Sequence, residues 1–572
     1  MIIKIKDDFA ADTQKIETIH GTGILDAILS NRGIISDEDR EFFLRGDITQ
    51  QHDPSLLKDA DLAAKTIVKH INKGSHIVVY SDYDADGWGS AIVALKMLRS
   101  LGANADYYTN TRAIGYGANP IGVADMLSKY PDVGLVITTD NGIVAYDAID
   151  ALNAQGIPVI VTDHHEPEAS GRLPDAIAVV NPKRLDDTYP FKGICGAAVI
   201  WKVLSIVYKM MGRPVEETYE LLDIVGFSTI GDVVPLVDEN RLIVKEALAR
   251  INDSDCREEW NILRKANSSF NNKISYVDAK TVAFTFVPQV NACSRLIGNI
   301  DDACKLFLST DMNEKIAAAN FIKEVNDERK ERTSDQTERA YTLCDGLDGC
   351  PVIVIESESF DDGIVGLIAG RIKEAFWAPT IVLTNDPEKP GVLRGSGRSI
   401  EGFPMKKILD EIQAENGILE GYGGHDMACG LSLKVENLEQ FRSALCIKAV
   451  QSLEVEAYYK SVIVDVDIRD DESVAFVCDT LSEIGPYGAS FPSPVVRLKN
   501  FIPKQIKITG ANSQHVIFTG ENISVKCWNG AEEYIQKGSP KVITAYGELR
   551  CSSFDGKYEL IVDPSLIVSA AK

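Results

Sequence analysis

The sequence lacks the marks of several large protein classes. Its 572 residues include eleven cysteines, but none form a C-x-x-C pair and their spacing is irregular. That argues against both a disulfide framework and a structural zinc site. No run of about eighteen uninterrupted apolar residues occurs, and the N-terminus, MIIKIKDDFAAD, has no long apolar core of the kind an export signal needs. A protein of the reducing cytoplasm without a membrane span is expected. No internal repeat stands out, and 45% hydrophobic with 25% charged residues excludes a fibrous or wholly disordered chain. Net positive charge is missing too: the formal charge is −25, awkward for a chain that contacts phosphates. Its distribution is uneven. Between Val495 and Arg550 eight basic side chains (Arg497, Lys499, Lys504, Lys507, Lys526, Lys537, Lys541 and Arg550) face four acidic ones, so the C-terminal region is expected to carry a basic face.

At roughly 100 to 200 residues per domain, the length suggests three or four domains. From residue 60, apolar runs alternate with helical patterns: HIVVYSD, SAIVALKMLRSLG, VGLVITTD, AYDAIDALNAQG, IPVIVTD and AIAVVN. This is a βαβ series, and its continuously apolar strands suit a parallel sheet buried on both faces. Between Leu308 and Thr342 the chain is highly charged and free of Pro and Gly, which reads as one long helix. A second α/β region follows, with PVIVIES, PTIVLTN, the Gly-rich VLRGSGRSI and EGYGGHDMACGLSL. The tail carries short alternating strands between Gly, Asn and Asp turns, the pattern of a small OB-type barrel. The expected fold is therefore α/β: an N-terminal segment and parallel-sheet domain over 1–305, a connecting helix over 306–344, a second α/β domain over 345–452 and a β-barrel over 453–572.

The strongest chemical signal is Ser81-Asp82-Tyr83-Asp84-Ala85-Asp86-Gly87, where a strand turns into a helix. Three like charges in a tight turn are unfavourable unless a cation binds, and hard divalent cations take oxygen ligands. An EF-hand loop would need a bidentate Glu at the twelfth position from Asp82, where Val93 stands. Asp140 closes VITTD, and Asp163-His164-His165 closes VIVTD. A lone Asp at a strand end is commonly a helix N-cap, but acidic residues at successive strand ends lie where ligands collect in parallel sheets. Adjacent residues of an extended chain point in opposite directions, so His164 and His165 read as one ligand plus one substrate contact. Asp232, in Gly231-Asp232-Val233-Val234-Pro235-Leu236, ends an apolar helical stretch.

These clusters, in this order, resemble the DHH phosphoesterase superfamily, and nearly the whole chain is similar to its RecJ exonucleases. Asn110-Thr111-Arg112 with Gly115-Tyr116-Gly117, and Pro288-Gln289-Val290-Asn291-Ala292 with Arg295, extend the resemblance. Gly395-Ser396-Gly397-Arg398-Ser399 and Gly423-Gly424-His425 resemble the DHH-associated domain. The resemblance implies that Asp84, Asp86, Asp140, His164 and Asp232 hold two Mn²⁺ or Mg²⁺ ions, with Asp140 bridging and Asp82 a ligand or a support behind the ligands. It implies that Asp163 orients its neighbours while His165 and Arg112 offset charge on the scissile phosphate. Arg295, Ser396 and Arg398, with His425 close by, would grip a 5′ end.

The expected activity is 5′-to-3′ hydrolysis of single-stranded DNA to mononucleotides in repair and recombination, with single-strand-binding protein or a helicase as partners. Tyr546, Trp528 and Phe518 are candidate stacking residues in the tail. Two rivals stand beside this: a phosphoesterase of short oligonucleotides, which usually lacks an OB-like tail, and a non-catalytic replication scaffold, which typically loses metal ligands. Two departures from the family pattern are visible. Tyr80 stands where many relatives carry His, a change expected to alter metal affinity, and Glu356 to Gly363 (ESESFDDG) differs from the usual Trp-His-Pro-Gly stretch.

Overall fold

The computed structural model describes residues 2–6, 11–12, 22–269, 273–347, 349–468, 473–552 and 557–569. It comprises two compact units: Ala10–Asn326 with Asp465–Lys572, and Met1–Phe9 with Asp327–Val464.

The first unit is built on five parallel strands: β1 (His76–Ser81), β2 (Asn104–Thr109), β3 (Val133–Thr139), β4 (Val159–Thr162) and β5 (Ala178–Val180), in the order β2-β1-β3-β4-β5. The order reverses between β1 and β3, and in open α/β sheets ligands bind beyond the strand ends at that reversal. β1 is buried on both faces. Ile77 and Val79 enter the larger core, Val78 and Tyr80 the smaller one on the other face, as the two-residue period of a strand requires. The sequence reading missed β2. It is an edge strand with only Ala105 and Tyr108 buried, and Asn-Ala-Asp-Tyr-Tyr-Thr contains no apolar run.

Helix α1 (Ala85–Ser100) follows β1 directly, and two further helices, α2 (Gly196–Met210) and α3 (Leu222–Gly231), pack on it. α1 and α3 approach closely at Gly89, where a Cβ would lie 1.9 Å from Ser228 Oγ. Only glycine fits that crossing. It sets the end of α3 beside the start of α1.

The C-terminal strands of this unit form one sheet with a short N-terminal strand. Val466–Ile468 (β11), Val496–Phe501 (β12), Gln505–Thr509 (β13), His515–Thr519 (β14), Ile523–Cys527 (β15), Ile543–Cys551 (β16) and Tyr558–Ser569 (β17) run in the order β13-β14-β15-β17-β16-β12-β11, with Ala11–Asp12 beyond β11. β11 is parallel to β12, and the helix Val474–Ile484 lies between them in sequence. That crossover was not foreseen. The tail core also takes Ile24, Ile28, Leu29 and Phe43 from two N-terminal helices, Thr22–Asn31 and Asp37–Arg45. Residues 22–45 thus pack with the tail strands, where the sequence reading placed them with the parallel sheet.

Arg241 fastens this region to the helices around the sheet. It is 1% exposed and donates to four carbonyls: Phe43 O (2.9 Å), Ile484 O (2.5 Å), Gly485 O (2.8 Å) and Pro486 O (2.9 Å). Its guanidinium also lies 3.7 Å from the centre of the Phe43 ring.

The expected basic face is corrected by ion pairing. Arg497 and Lys499 both pair with Asp467, Lys526 and Arg550 with Glu559, Lys504 with Glu521, and Lys537 with Glu533. Asp467 and Glu559 lie outside the window counted in the sequence, so these two carboxylates halve the surplus charge. Phe518 and Tyr546 are core residues, whereas Trp528 is 44% exposed and edge-on to His515.

The second unit holds a mixed sheet of Ile353–Glu356 (β6), Thr380–Asn385 (β7), Val392–Arg398 (β8), Leu419–His425 (β9) and Ala428–Lys434 (β10), ordered β9-β10-β8-β7-β6. Only β6 and β7 pair in parallel among these. A helix, Val365–Phe376, packs on β7 and β8. The long helix spans Met312–Leu343, shorter than the expected connector over 306–344. A separate helix, Asp301–Leu308, precedes it, and the break is stabilised by Asp311 N–H donating to Ser309 Oγ at 3.0 Å.

Candidate metal centre

Asp82, Asp84 and Asp86 occupy the turn between β1 and α1. Asp84 caps α1: one oxygen accepts from Asp86 N–H (2.9 Å) and Gly87 N–H (3.0 Å), leaving the other for a ligand. Asp82 and Asp86 are buried. Asp140 follows β3 with φ +59, a left-handed backbone that is strained for a non-glycine residue and is characteristic of functional sites. Asp232 ends α3 and reaches the same place through the Gly89 crossing.

His164 follows β4 and points its Nε2 at three carboxylates: Asp140 at 3.1 Å, Asp232 at 3.5 Å and Asp86 at 3.7 Å. His165, expected to point away from it, instead has its ring centre 4.6 Å from that of His164. Its Nδ1 meets Asp163 at 2.8 Å and its Nε2 meets the Tyr116 hydroxyl at 3.0 Å. Asp163 is fully used by the protein: it accepts from the N–H groups of His164, His165 and Ile143 as well as the His165 ring. These bonds shape the loop.

Among the described residues, three sets of ligand atoms fall within 4.8 Å of one another: Asp82, Asp84 and Asp140; Asp86, His164 and Asp232; and Asp140, His164 and His165. Asp82 Oδ1, Asp140 Oδ1 and both ring nitrogens of His164 are buried without a hydrogen-bond partner. Such orphaned groups are costly, and divalent cations would satisfy the two carboxylate oxygens and the His164 Nε2 that faces them. The donor set, carboxylates plus one imidazole, suits Mn²⁺ or Mg²⁺.

The electrostatics agree. Burial first, with the charges of neighbouring carboxylates adding to it, pushes the carboxyls of Asp82, Asp86, Asp140 and Asp232 up. Burial lowers His164 to about 4 despite the nearby Asp86, so its ring is neutral and able to bind metal at neutral pH. At His165 burial is outweighed by the bond to Asp163, which raises it to about 9. At Asp163 burial is likewise outweighed by the His165 bond and the two histidine charges, which hold it at about 2.

Tyr80, expected to alter metal affinity, is committed elsewhere. Its buried hydroxyl donates to Asn110 Oδ1 at 2.6 Å, and Asn110 in turn donates to Gly115 O and Gly117 O. Tyr80 therefore shapes the loop that carries Arg112 and Tyr116. Arg112 N–H donates to Gly298 O at 2.9 Å, which holds that loop beside the π-helical turn Cys293–Ile297 bearing Arg295.

Ser396, Arg398 and His425 lie in the second unit. Ser396 and Arg398 share one face of β8, against the start of the helix Val365–Phe376: a Cβ on Gly366 would lie 2.8 Å from Arg398 Nη2 and 3.3 Å from Ser396 Oγ. Burial lowers the Arg398 pKa, and its guanidinium bonds only the carbonyl of Gly397 among the described hydrogen bonds. His425 and Arg398 both pair with Ala428, from opposite sides of β10. In the atypical ESESFDDG segment, Asp362 binds Arg394 through both oxygens and Asp361 meets Arg332 at 3.2 Å.

Residues 76–229 match the DHH family N-terminal domain, 349–449 the DHHA1 domain and 464–563 the RecJ OB domain. The chain is 32% identical over 562 residues to the single-stranded-DNA-specific exonuclease RecJ of Bacillus subtilis (strain 168), covering 97% of this chain and 68% of that one. It is 30% identical to RecJ of Escherichia coli (strain K12), covering 82% of each. The crystal structure of RecJ in complex with Mn²⁺ from Thermus thermophilus superposes with a TM-score of 0.77 at 24% identity, over 98% of this chain and 79% of that one. Among the described residues, no helix is long and apolar enough to cross a membrane.

Proposed function

Since the chain belongs to the RecJ exonuclease family, we propose that it hydrolyses single-stranded DNA from the 5′ end to 5′-mononucleotides with two divalent cations, serving repair and recombination in the cytoplasm. The observation that carries this reading is the convergence of buried, partnerless ligand atoms on Asp82, Asp140 and His164 beside Asp84, Asp86 and Asp232. In this reading Asp84, Asp86, Asp140, His164 and Asp232 hold the cations, and Asp82 joins them. When bound, the cations supply charge stabilisation for an in-line phosphoryl displacement and acidify a water. Asp163 keeps the loop in place. His165, anchored between Asp163 and Tyr116, faces the phosphate together with Arg112 and balances its charge.

Ser396 and Arg398, at the start of a helix, are suited to a terminal phosphate, with His425 assisting. The tail contributes Trp528 as a stacking surface, not a field of positive charge. Single-strand-binding protein or a helicase would recruit the enzyme.

The test offers a 5′-phosphorylated single strand, a duplex, a dinucleotide and pyrophosphate in parallel. Mn²⁺-dependent release of mononucleotides from the single strand alone, abolished by Asp140→Ala, is expected. Faster cleavage of the dinucleotide would transfer the function to short-oligonucleotide hydrolysis, and full activity in Asp140→Ala would remove the site assignment.

A further inference from the structure

The metal-site carboxylates are held on one side by a segment outside every motif described above. Gly193-Ile194-Cys195 leads into α2, whose N-cap, Cys195, makes no side-chain cap hydrogen bond. The first amides of a helix need an acceptor, and here Asp86, from a different part of the chain, provides it. Gly196 N–H donates to one Asp86 oxygen at 2.6 Å and Ala197 N–H to the other at 3.0 Å. With both oxygens engaged, the carboxylate cannot rotate, and the positive end of α2 lies against it.

Gly196 also touches the second ligand. A Cβ there would stand 2.6 Å from Asp140 Cβ and 2.8 Å from both its Cα and Oδ1. Alanine is the better helix former, so helix formation does not explain this glycine. Contact with Asp140 does, at the residue whose backbone is already in the left-handed region.

We propose that Gly196 is a positioning residue which, with the Ala197 amide, fixes Asp86 and Asp140 at the spacing two cations require. The inference rests on the two-cation reading given above. Two substitutions separate its parts. Gly196→Ala drives a methyl into Asp140. Ala197→Pro keeps that glycine and removes the N–H bonded to Asp86, in the first helical turn where proline is tolerated.

Mn²⁺ binding to the metal-free proteins is measured by titration calorimetry, with electron paramagnetic resonance reporting whether two ions are coupled. Wild type should bind a coupled pair. Each variant should bind Mn²⁺ about 10- to 100-fold more weakly, the usual effect of losing a group that orients a ligand. The Mn²⁺ concentration for half-activation should rise by the same factor, and kcat at saturating Mn²⁺ should recover. A merely structural defect would move the unfolding transition instead. Either variant, folded and binding a coupled pair with wild-type affinity, overturns the proposal; if Gly196→Ala does not fold, Ala197→Pro decides it. Asp140→Ala serves as the reference. If it too binds the pair normally, the two-cation reading is at fault and not the role of Gly196.

Discussion

Removing the cations should make the protein less stable as pH rises through neutrality, opposite to the usual behaviour of paired carboxylates. The raised carboxyls of Asp82, Asp86, Asp140 and Asp232 let the folded chain keep protons that the unfolded chain releases above about pH 4. Where the folded state binds more protons, stability falls with pH, by about 1.4 kcal/mol per pH unit for each. His164 acts in the opposite sense. Its folded value of about 4 leaves the unfolded chain with the extra proton up to about pH 6.5, cancelling one carboxylate. Above that pH the offset ends, and His165, raised to about 9, keeps a proton that the unfolded chain releases, so stability falls as pH rises toward 9. One net proton over two pH units amounts to about 2.7 kcal/mol. Mn²⁺ at about 100 times its dissociation constant restores about 2.7 kcal/mol per site, and more at higher pH because it displaces the protons. Urea unfolding followed by circular dichroism, in EDTA and in Mn²⁺, measures both slopes, and Asp140→Asn should flatten the one in EDTA. A chelated protein equally stable at about pH 9 and about pH 6.5 would refute the electrostatic account of the site.

Two further outcomes follow from single side chains. Tyr80→Phe should leave Mn²⁺ affinity unchanged while costing about 1 to 3 kcal/mol through the orphaned Asn110 oxygen, measured by calorimetry and denaturant unfolding; a changed Mn²⁺ affinity would restore Tyr80 to the metal site. Arg241→Met should cost about 3 to 5 kcal/mol by stranding four carbonyls, two of them buried, and should weaken binding of long single strands more than cleavage of a dinucleotide. Fluorescence anisotropy beside a dinucleotide assay checks this, and equal losses would argue against a coupling role.

Much of the candidate site was legible because its residues sit at strand ends, where an apolar run stops at an acid. Asp84, Asp86, Asp140 and His164 are all of this kind, and β1, β3 and β4 were read from the same runs. What escaped depends on tertiary contact. Asp86 is held by amides about 110 residues away, which side-chain identity does not reveal. The basic face failed because local counting omitted Asp467 and Glu559, which join their partners only through strand pairing. β2 escaped as a half-exposed edge, and the split between Phe518, Tyr546 and Trp528 depends on which strand face is inward.

The helices at residues 22–45 have a consequence for biosynthesis. Ile24, Ile28, Leu29 and Phe43 share their buried core mainly with residues from Val466 onward. At roughly 5 to 20 residues per second, a ribosome needs about 20 to 85 s to produce the roughly 420 residues between them. For that interval the nascent chain displays an uncovered greasy surface near its start, a natural target for chaperones and proteases. A stop codon near residue 455 would make that exposure permanent, so truncated chains should be cleared from the cell and not persist as shortened enzymes.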